Sequence, residues 1–284
     1  MRARSAYPAP AKLNLMLRVT GRRADGHHLL QTVFRFIDYG DTLRFTVRED
    51  GVIARGNDVS GVPETDDLTL RAARLLQTVG ASRLGANIAL DKRLPIGGGL
   101  GGGSSDAATT LIALNSLWGL DWPRARLQEL ALELGADVPV FVFGESAVGE
   151  GIGEKLTALT LRPAWYLVLM PPLCVATARV FQDADLIRDS IPTKIPPFSV
   201  ASASNDLEPV VCRLYPEVAR HLAWLKQFNK AQFGHARMTG SGACVFAEFA
   251  TQAAARAVMD QLPATMRGVV ARGLAQHPLR EMCK

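Results

Sequence analysis

Six of the seven residues from 97 to 103 are glycine. A run of that kind favours neither helix nor strand, so it must be held from its two ends. Before it, Ala86-Asn87-Ile88-Ala89-Leu90-Asp91 alternates apolar and polar residues as a half-buried strand does. After it, residues 107 to 118 form an apolar stretch long enough for a buried helix, with Ser104, Ser105 and Asp106 available as N-cap residues. The unit reads as strand, glycine loop, helix N-terminus. A backbone without Cβ atoms can approach a ligand closely and aim several N–H groups at it. The helix start adds unpaired donors and the positive end of its dipole. Such an arrangement suits a polyphosphate.

Other readings of the loop fit less well. A flexible linker separates domains, whereas this loop joins two apolar elements. A phosphate loop of the Walker type needs Gly-Lys-Ser/Thr, and no Lys follows the last glycine. Gly97 to Gly102 satisfies the spacing of a dinucleotide fingerprint, but almost any glycine run would. The acidic residue at the right distance, Asp121, lies in the turn-like Trp118-Gly119-Leu120-Asp121-Trp122-Pro123. Protein-kinase signatures are absent.

The totals bound the rest. A chain of 284 residues with 48% hydrophobic content holds one large domain or two modest ones, with ample core. The net charge of +5 weakly favours anionic ligands. No basic cluster interleaves with aromatics, so nucleic acid is not the expected partner. Cysteines 174, 212, 244 and 283 have no metal or disulfide spacing and read as reduced thiols of a cytoplasmic protein. No leader-like segment and no apolar run of the ~20 residues of a membrane span is present.

Along the chain, Leu13 to Val19 is expected as a strand with Lys12, Asn14, Met16 and Arg18 on one face. That face reads equally well as solvated or as functional. A loop around Asp25-Gly26 carries His27 and His28, with no metal-ligand spacing nearby. Strands are expected at 31–37 and 42–47, joined by a Tyr39-Gly40-Asp41 turn, then a short one at 52–54. A helix capped by Asp66 or Asp67 runs to Val79, and another starts at Pro123 and ends at Leu134. Gly135-Ala136-Asp137 reads as a turn running into an apolar strand, Val138 to Phe143. Beside a phosphate loop, a carboxylate held against apolar walls can accept a hydroxyl proton. A strand at 165–170, a Pro- and Ser-rich loop at 190–204, helices from 205 and 216, a glycine turn at 239–242 leading into a strand, a helix at 251–261 and a strand at 268–274 complete the chain. The domain boundary is expected near residue 155.

Three stretches together resemble the GHMP kinases, the superfamily of galactokinase, homoserine kinase and mevalonate kinase. They are Pro10-Ala11-Lys12-Leu13-Asn14-Leu15, the loop Pro95 to Ser105, and Thr239-Gly240-Ser241-Gly242. Gly21 to Gly26, Asp38-Tyr39-Gly40-Asp41, Gly135 to Pro139, Asn205-Asp206-Leu207-Glu208 and Thr239 to Phe246 narrow the resemblance to the branch acting on a diphosphocytidyl-methylerythritol substrate. The matches run in order through most of the chain.

The resemblance implies an α+β fold: an N-terminal ATP-binding domain over 1–155, like ribosomal protein S5, and a C-terminal ferredoxin-like domain over 156–284. The last strand is allowed to return to the first domain. It implies ATP-dependent phosphorylation of the substrate's 2-hydroxyl, in the non-mevalonate route to isoprenoid precursors. Mg²⁺ rides on the phosphates, and the enzyme is a monomer or weak homodimer. Asp137 and Lys12 match the catalytic pair. Pro95, Ile96, Gly97, Gly98, Gly99, Leu100, Gly101, Gly102, Gly103, Ser104 and Ser105 match the ATP phosphate loop. Asn14, His28, Thr177, Phe181, Gly240, Ser241 and Gly242 match substrate contacts, Phe181 as a ring stacking on the base and His28 as its reader. His27 stands where these kinases usually carry a second stacking ring, Tyr, and Asp67 where an Asn meets the adenine. An Asp can accept a hydrogen bond there but not donate one. No acidic Mg²⁺ ligand matches the one in mevalonate kinase; Ser105 is the candidate hydroxyl, and the metal ligands stay unassigned.

Overall fold

The structure, a computed structural model, describes residues 6–196, 198, 203–228 and 235–283. Its frame is one long hairpin, β1 (Tyr7–Arg22) against β2 (His28–Arg48). The Asp25-Gly26 turn closes it, with the Arg23 N–H donating to the His27 carbonyl at 2.7 Å. Bulges between Pro10 and Lys12, Asn14 and Met16, and Val19 and Gly21 let a strand of this length bend. Both faces of β1 are covered: Leu13 and Leu15 are buried, and so are Lys12 and Asn14. The polar face is therefore interior, not solvated.

β2 runs unbroken where a turn at 39–41 was expected. Gly40 serves close approach instead of a turn: a Cβ there would sit 2.2 Å from the Ala9 carbonyl oxygen across the hairpin. β4 (Gly85–Asp91) pairs antiparallel with the second half of β2, and β3 (Ile53–Arg55) lies parallel to β4.

Against this sheet pack α1 (Leu68–Val79), α2 (Gly102–Leu117), α3 (Arg124–Leu134) and α4 (Val138–Phe143). α1 starts as expected, with Asp67 as its N-cap. Leu111, Ile112 and Leu114 of α2 are fully buried. Each contributes about 1.5–3 kcal/mol relative to exposure, so the helix after the glycine loop is firmly fixed. Residues 138–143 form helix α4, not the strand expected from their composition. Pro139 suits a first helical turn, and burial of Val138, Val140 and Phe141 outweighs β propensity.

The hairpin β5 (Ala147–Glu150) and β6 (Lys155–Ala158) extends from β2. A second core gathers around β7 (Trp165–Leu169), β8 (Arg237–Met238), β9 (Val245–Phe249) and β10 (Gly268–Leu274). Helices α5 (Thr177–Gln182), α6 (Glu208–Leu214), α7 (Pro216–Lys226) and α8 (Gln252–Met259) belong to the same half of the chain. β10 pairs with β7 along its length, and its end, Gly273 and Leu274, pairs with Ile37 and Phe36 of β2. The resulting order is β3-β4-β2-β10-β7-β9-β8, with β1 and the β5–β6 hairpin on β2. Helices and strands mix in both halves, as an α+β fold requires.

Candidate active site

The glycine loop lies between the two halves. From one side, Lys12 N–H on β1 donates to the Leu100 carbonyl at 3.0 Å. From the other, Cys244 N–H donates to the Gly98 carbonyl at 3.0 Å, and the Thr239 hydroxyl to that of Gly99 at 3.3 Å. Leu100 is buried and anchors the loop. Gly99 has φ 75°, and a Cβ on it would fall 2.3 Å from the Thr239 carbonyl oxygen.

α2 begins at least three residues earlier than a cap in the polar run at 104–106 would place it. Its N-cap is Gly101, in the left-handed conformation, with no side-chain cap. The first-turn N–H groups thus keep no side-chain partner at the cap, which is how helix starts receive anions. Ser105 is not a cap. It is fully buried and donates to the Pro10 carbonyl at 2.7 Å, which turns its hydroxyl away from the open side of the loop.

Two cavities meet at Asp137. One, of about 490 Å³, is lined by Pro95 to Gly99, Gly101 to Ser104, Asp67 to Thr69, and Lys92. The other, of about 320 Å³, runs along the hairpin past Lys12, Asn14, Thr32 and Phe34 to Phe181, Gly240 and Ser241. Gly99, Ser104, Asp137, Thr177 and Ser241 line both. At the junction Lys12 Nζ is 3.2 Å from Asp137 Oδ2 and donates to Asn14 Oδ1 at 2.5 Å. Asn14 Nδ2 in turn donates to the Thr32 hydroxyl at 2.8 Å, and the Thr177 and Ser241 hydroxyls are 2.8 Å apart.

Some expected residues lie elsewhere. His27 is exposed at the hairpin tip beside Asp25, 3.2 Å away, and lines neither cavity. His28 also lies off the cavity walls, with its ring centroid 4.8 Å from that of Phe181. Gly242 packs towards Met238 and Val211 instead of the cavity. Asp67 lines the larger cavity, yet its carboxylate is already engaged: Oδ1 by the Thr69 N–H and hydroxyl, Oδ2 by Arg55 Nε at 2.8 Å.

A buried cluster beneath the loop was not singled out from the sequence. Lys92 Nζ bridges Asp41 at 2.6 Å and Asp106 at 2.8 Å. Asp41 also accepts from the N–H groups of Arg93 and Leu94, which fixes the chain entering the loop. Burial alone would depress the Lys92 ammonium, but Asp106 and Asp41 outweigh it and hold it above its ordinary value. Burial pushes the Asp106 carboxyl up to about 7, against the pull of Lys92. Only the Asp38-Tyr39-Gly40-Asp41 motif hinted at this cluster. Among the described residues no group of three His, Cys, Asp or Glu could hold a metal ion, and no helix is long and apolar enough to cross a membrane.

Comparison with known proteins places this geometry. Residues 67–145 match the GHMP kinases N terminal domain and residues 198–268 the GHMP kinases C terminal domain. The 4-diphosphocytidyl-2-C-methyl-D-erythritol kinase of Nitrosospira multiformis is 60% identical over 99% of this chain and 95% of its own length. That of Thiobacillus denitrificans is 61% identical over 96% and 97%. A crystal structure of 4-(cytidine 5'-diphospho)-2C-methyl-D-erythritol kinase superposes with a TM-score of 0.81 at 32% identity, covering 94% of this chain and 98% of that one. A mevalonate kinase, at 14% identity and a TM-score of 0.69, shares the fold. With its two-domain α+β fold, the chain belongs to the GHMP kinase superfamily and, within it, to the family of 4-diphosphocytidyl-2-C-methyl-D-erythritol kinases.

Proposed function

We propose that this chain moves the γ-phosphoryl group of ATP to the 2-hydroxyl of 4-diphosphocytidyl-2-C-methyl-D-erythritol, with Asp137 as base and Lys12 as its partner. The observation that carries this reading is the Lys12–Asp137 pair at the junction of two cavities. The larger cavity takes ATP. Its phosphates lie along the glycine loop and the start of α2, near Lys92. The smaller takes the polyol and its diphosphocytidyl arm, with Asn14, Thr177, Gly240 and Ser241 as polar contacts and Phe181 towards the base.

The substrate oxygen attacks the γ-phosphorus as its proton passes to the Asp137 carboxylate, and the bond from that phosphorus to ADP breaks. Such transfer depends on positioning and charge stabilisation more than on covalent chemistry. Lys12 serves both: it holds Asp137 in place and brings a positive charge to the reacting centre. Mg²⁺ is normally bound largely through substrate phosphates and water, and this site suits that mode, with Ser104 a nearby hydroxyl at the junction and no carboxylate cage among the described residues. Bound there, the metal would offset charge on the phosphoryl oxygens. We infer a monomer or weak homodimer, in the cytoplasm, where thiols such as the free cysteines stay reduced.

The test is ADP release with and without the diphosphocytidyl substrate, with the product identified by mass. Turnover that requires the substrate and adds one phosphoryl group to it supports the reading; equal ADP release without it refutes the reading.

A further inference from the structure

Arg188 lies just beyond α5, outside both cavities, and no sequence motif drew attention to it. Its guanidinium nonetheless makes four hydrogen bonds, with all three nitrogens engaged. Nη1 donates to the Leu186 carbonyl at 3.0 Å, and Nη2 to those of Phe181 at 3.1 Å and Asp183 at 2.6 Å. The third nitrogen, Nε, donates to His28 Nε2, 3.3 Å away. One side chain therefore holds the backbone of Phe181 and the ring of His28 together.

The His28 contact has a chemical consequence. A guanidinium has only donors and keeps its charge, so the nitrogen facing it must offer a lone pair. Burial lowers the affinity of His28 for a second proton, and the positive charges of Arg188 and Arg22 lower it further. The ring is thus neutral at pH 7, with its one proton on Nδ1. Without Arg188 both neutral tautomers become available.

We propose that Arg188 is a positioning residue for base recognition: it fixes His28 as the Nδ1–H tautomer beside Phe181, so that the base meets a donor there. The proposal rests on the reading of His28 and Phe181 as parts of a base pocket. Cytosine presents an acceptor at ring position 3, which accepts from an N–H. Uracil presents an N–H at the same position, and two donors then face each other. A site built around one defined hydrogen bond rejects a partner that cannot make it.

The experiment compares kcat/KM for the cytidine substrate and its uridine counterpart, and reads the His28 tautomer by nitrogen-15 NMR of the free enzyme. The wild type should show the proton on Nδ1. Arg188→Ala should mix the tautomers and lower the cytidine-to-uridine ratio about tenfold, as loss of one buried hydrogen bond does. The change should fall on the substrate KM, with kcat and the KM for ATP unaltered. Arg188→Lys, which keeps a charged donor, should retain the tautomer. An Nε2–H wild type, or an Arg188→Ala enzyme with tautomer and ratio both unchanged, would overturn the proposal. His28→Ala separates the two claims. If it leaves the ratio unchanged, the base-pocket reading itself fails; if it lowers the ratio and Arg188→Ala does not, only the role of Arg188 fails.

Discussion

Lys12 and Asp137 form an ion pair in which one partner is interior and the other open: their side chains are 2% and 41% exposed. The lysine donates to Asn14 of the same strand and lies over Phe34 of β2, 5.7 Å from its ring centroid. The aspartate sits where the cavities join. A base has to be held on one side and free on the other, and the exposures of this pair suit the proposed role. Asp137→Asn should keep the fold and both affinities, yet lose on the order of 10²–10⁴-fold in kcat, the usual contribution of a positioned proton acceptor. Single-turnover kinetics checks it; a loss within a few-fold would make Asp137 a structural residue.

Gly99→Ala should damage nucleotide binding without touching a ligand group. Its left-handed φ opposes any Cβ, and the added methyl would meet backbone, the Thr239 carbonyl oxygen at 2.3 Å. The loop would have to leave its seam with residues 239–244. We expect a cost of about 1–3 kcal/mol in stability from backbone strain. Calorimetry should show affinity for a non-hydrolysable ATP analogue falling more than affinity for the diphosphocytidyl substrate.

Asp106 should make stability fall as pH rises. Its carboxyl is raised from 3.8 to about 7 by burial, so the folded state holds this proton where the unfolded state has released it. The stabilisation is complete below about pH 4 and is lost as pH rises to about 7. Asp106→Asn should remove that slope, because the amide never ionises, while its oxygen can still accept from Lys92. Thermal melts at pH 5 and pH 8 measure it: the wild-type decline between them should shrink in the variant.

What the sequence made legible was local chemistry. The glycine loop, the Asp67 cap and the strand at 268–274 follow from residue type and neighbour spacing. The misreadings were tertiary. Val138 to Phe143 has the composition of a strand, and short apolar runs cannot be assigned by periodicity alone. Burial decided that one. Gly40 looks like a turn glycine until the Ala9 carbonyl is seen against it. The partners of Lys92 come from positions 41 and 106, and those of Arg188 from 28 and 181. No local pattern joins such positions; only the folded chain does.

Phe181 and His27 were expected to face each other across the base, yet only Phe181 lines a cavity. Phe181 lines the smaller cavity. His27 stands exposed at the hairpin tip with Asp25. An exposed contact of that kind contributes little, so losing it should not disturb the hairpin. Phe181→Ala removes a ring whose stacking contributes about 0.5–1.5 kcal/mol beyond its buried area, and should raise the KM for the diphosphocytidyl substrate about tenfold. The KM for ATP should stay put, because Phe181 does not line the larger cavity. His27→Ala should change the substrate KM by less than about twofold, in keeping with an exposed side chain. Steady-state kinetics of the two variants under one set of conditions decides between the arrangements. Equal losses would mean that the tip folds over the base when substrate binds, and that His27 is the second wall of the pocket after all.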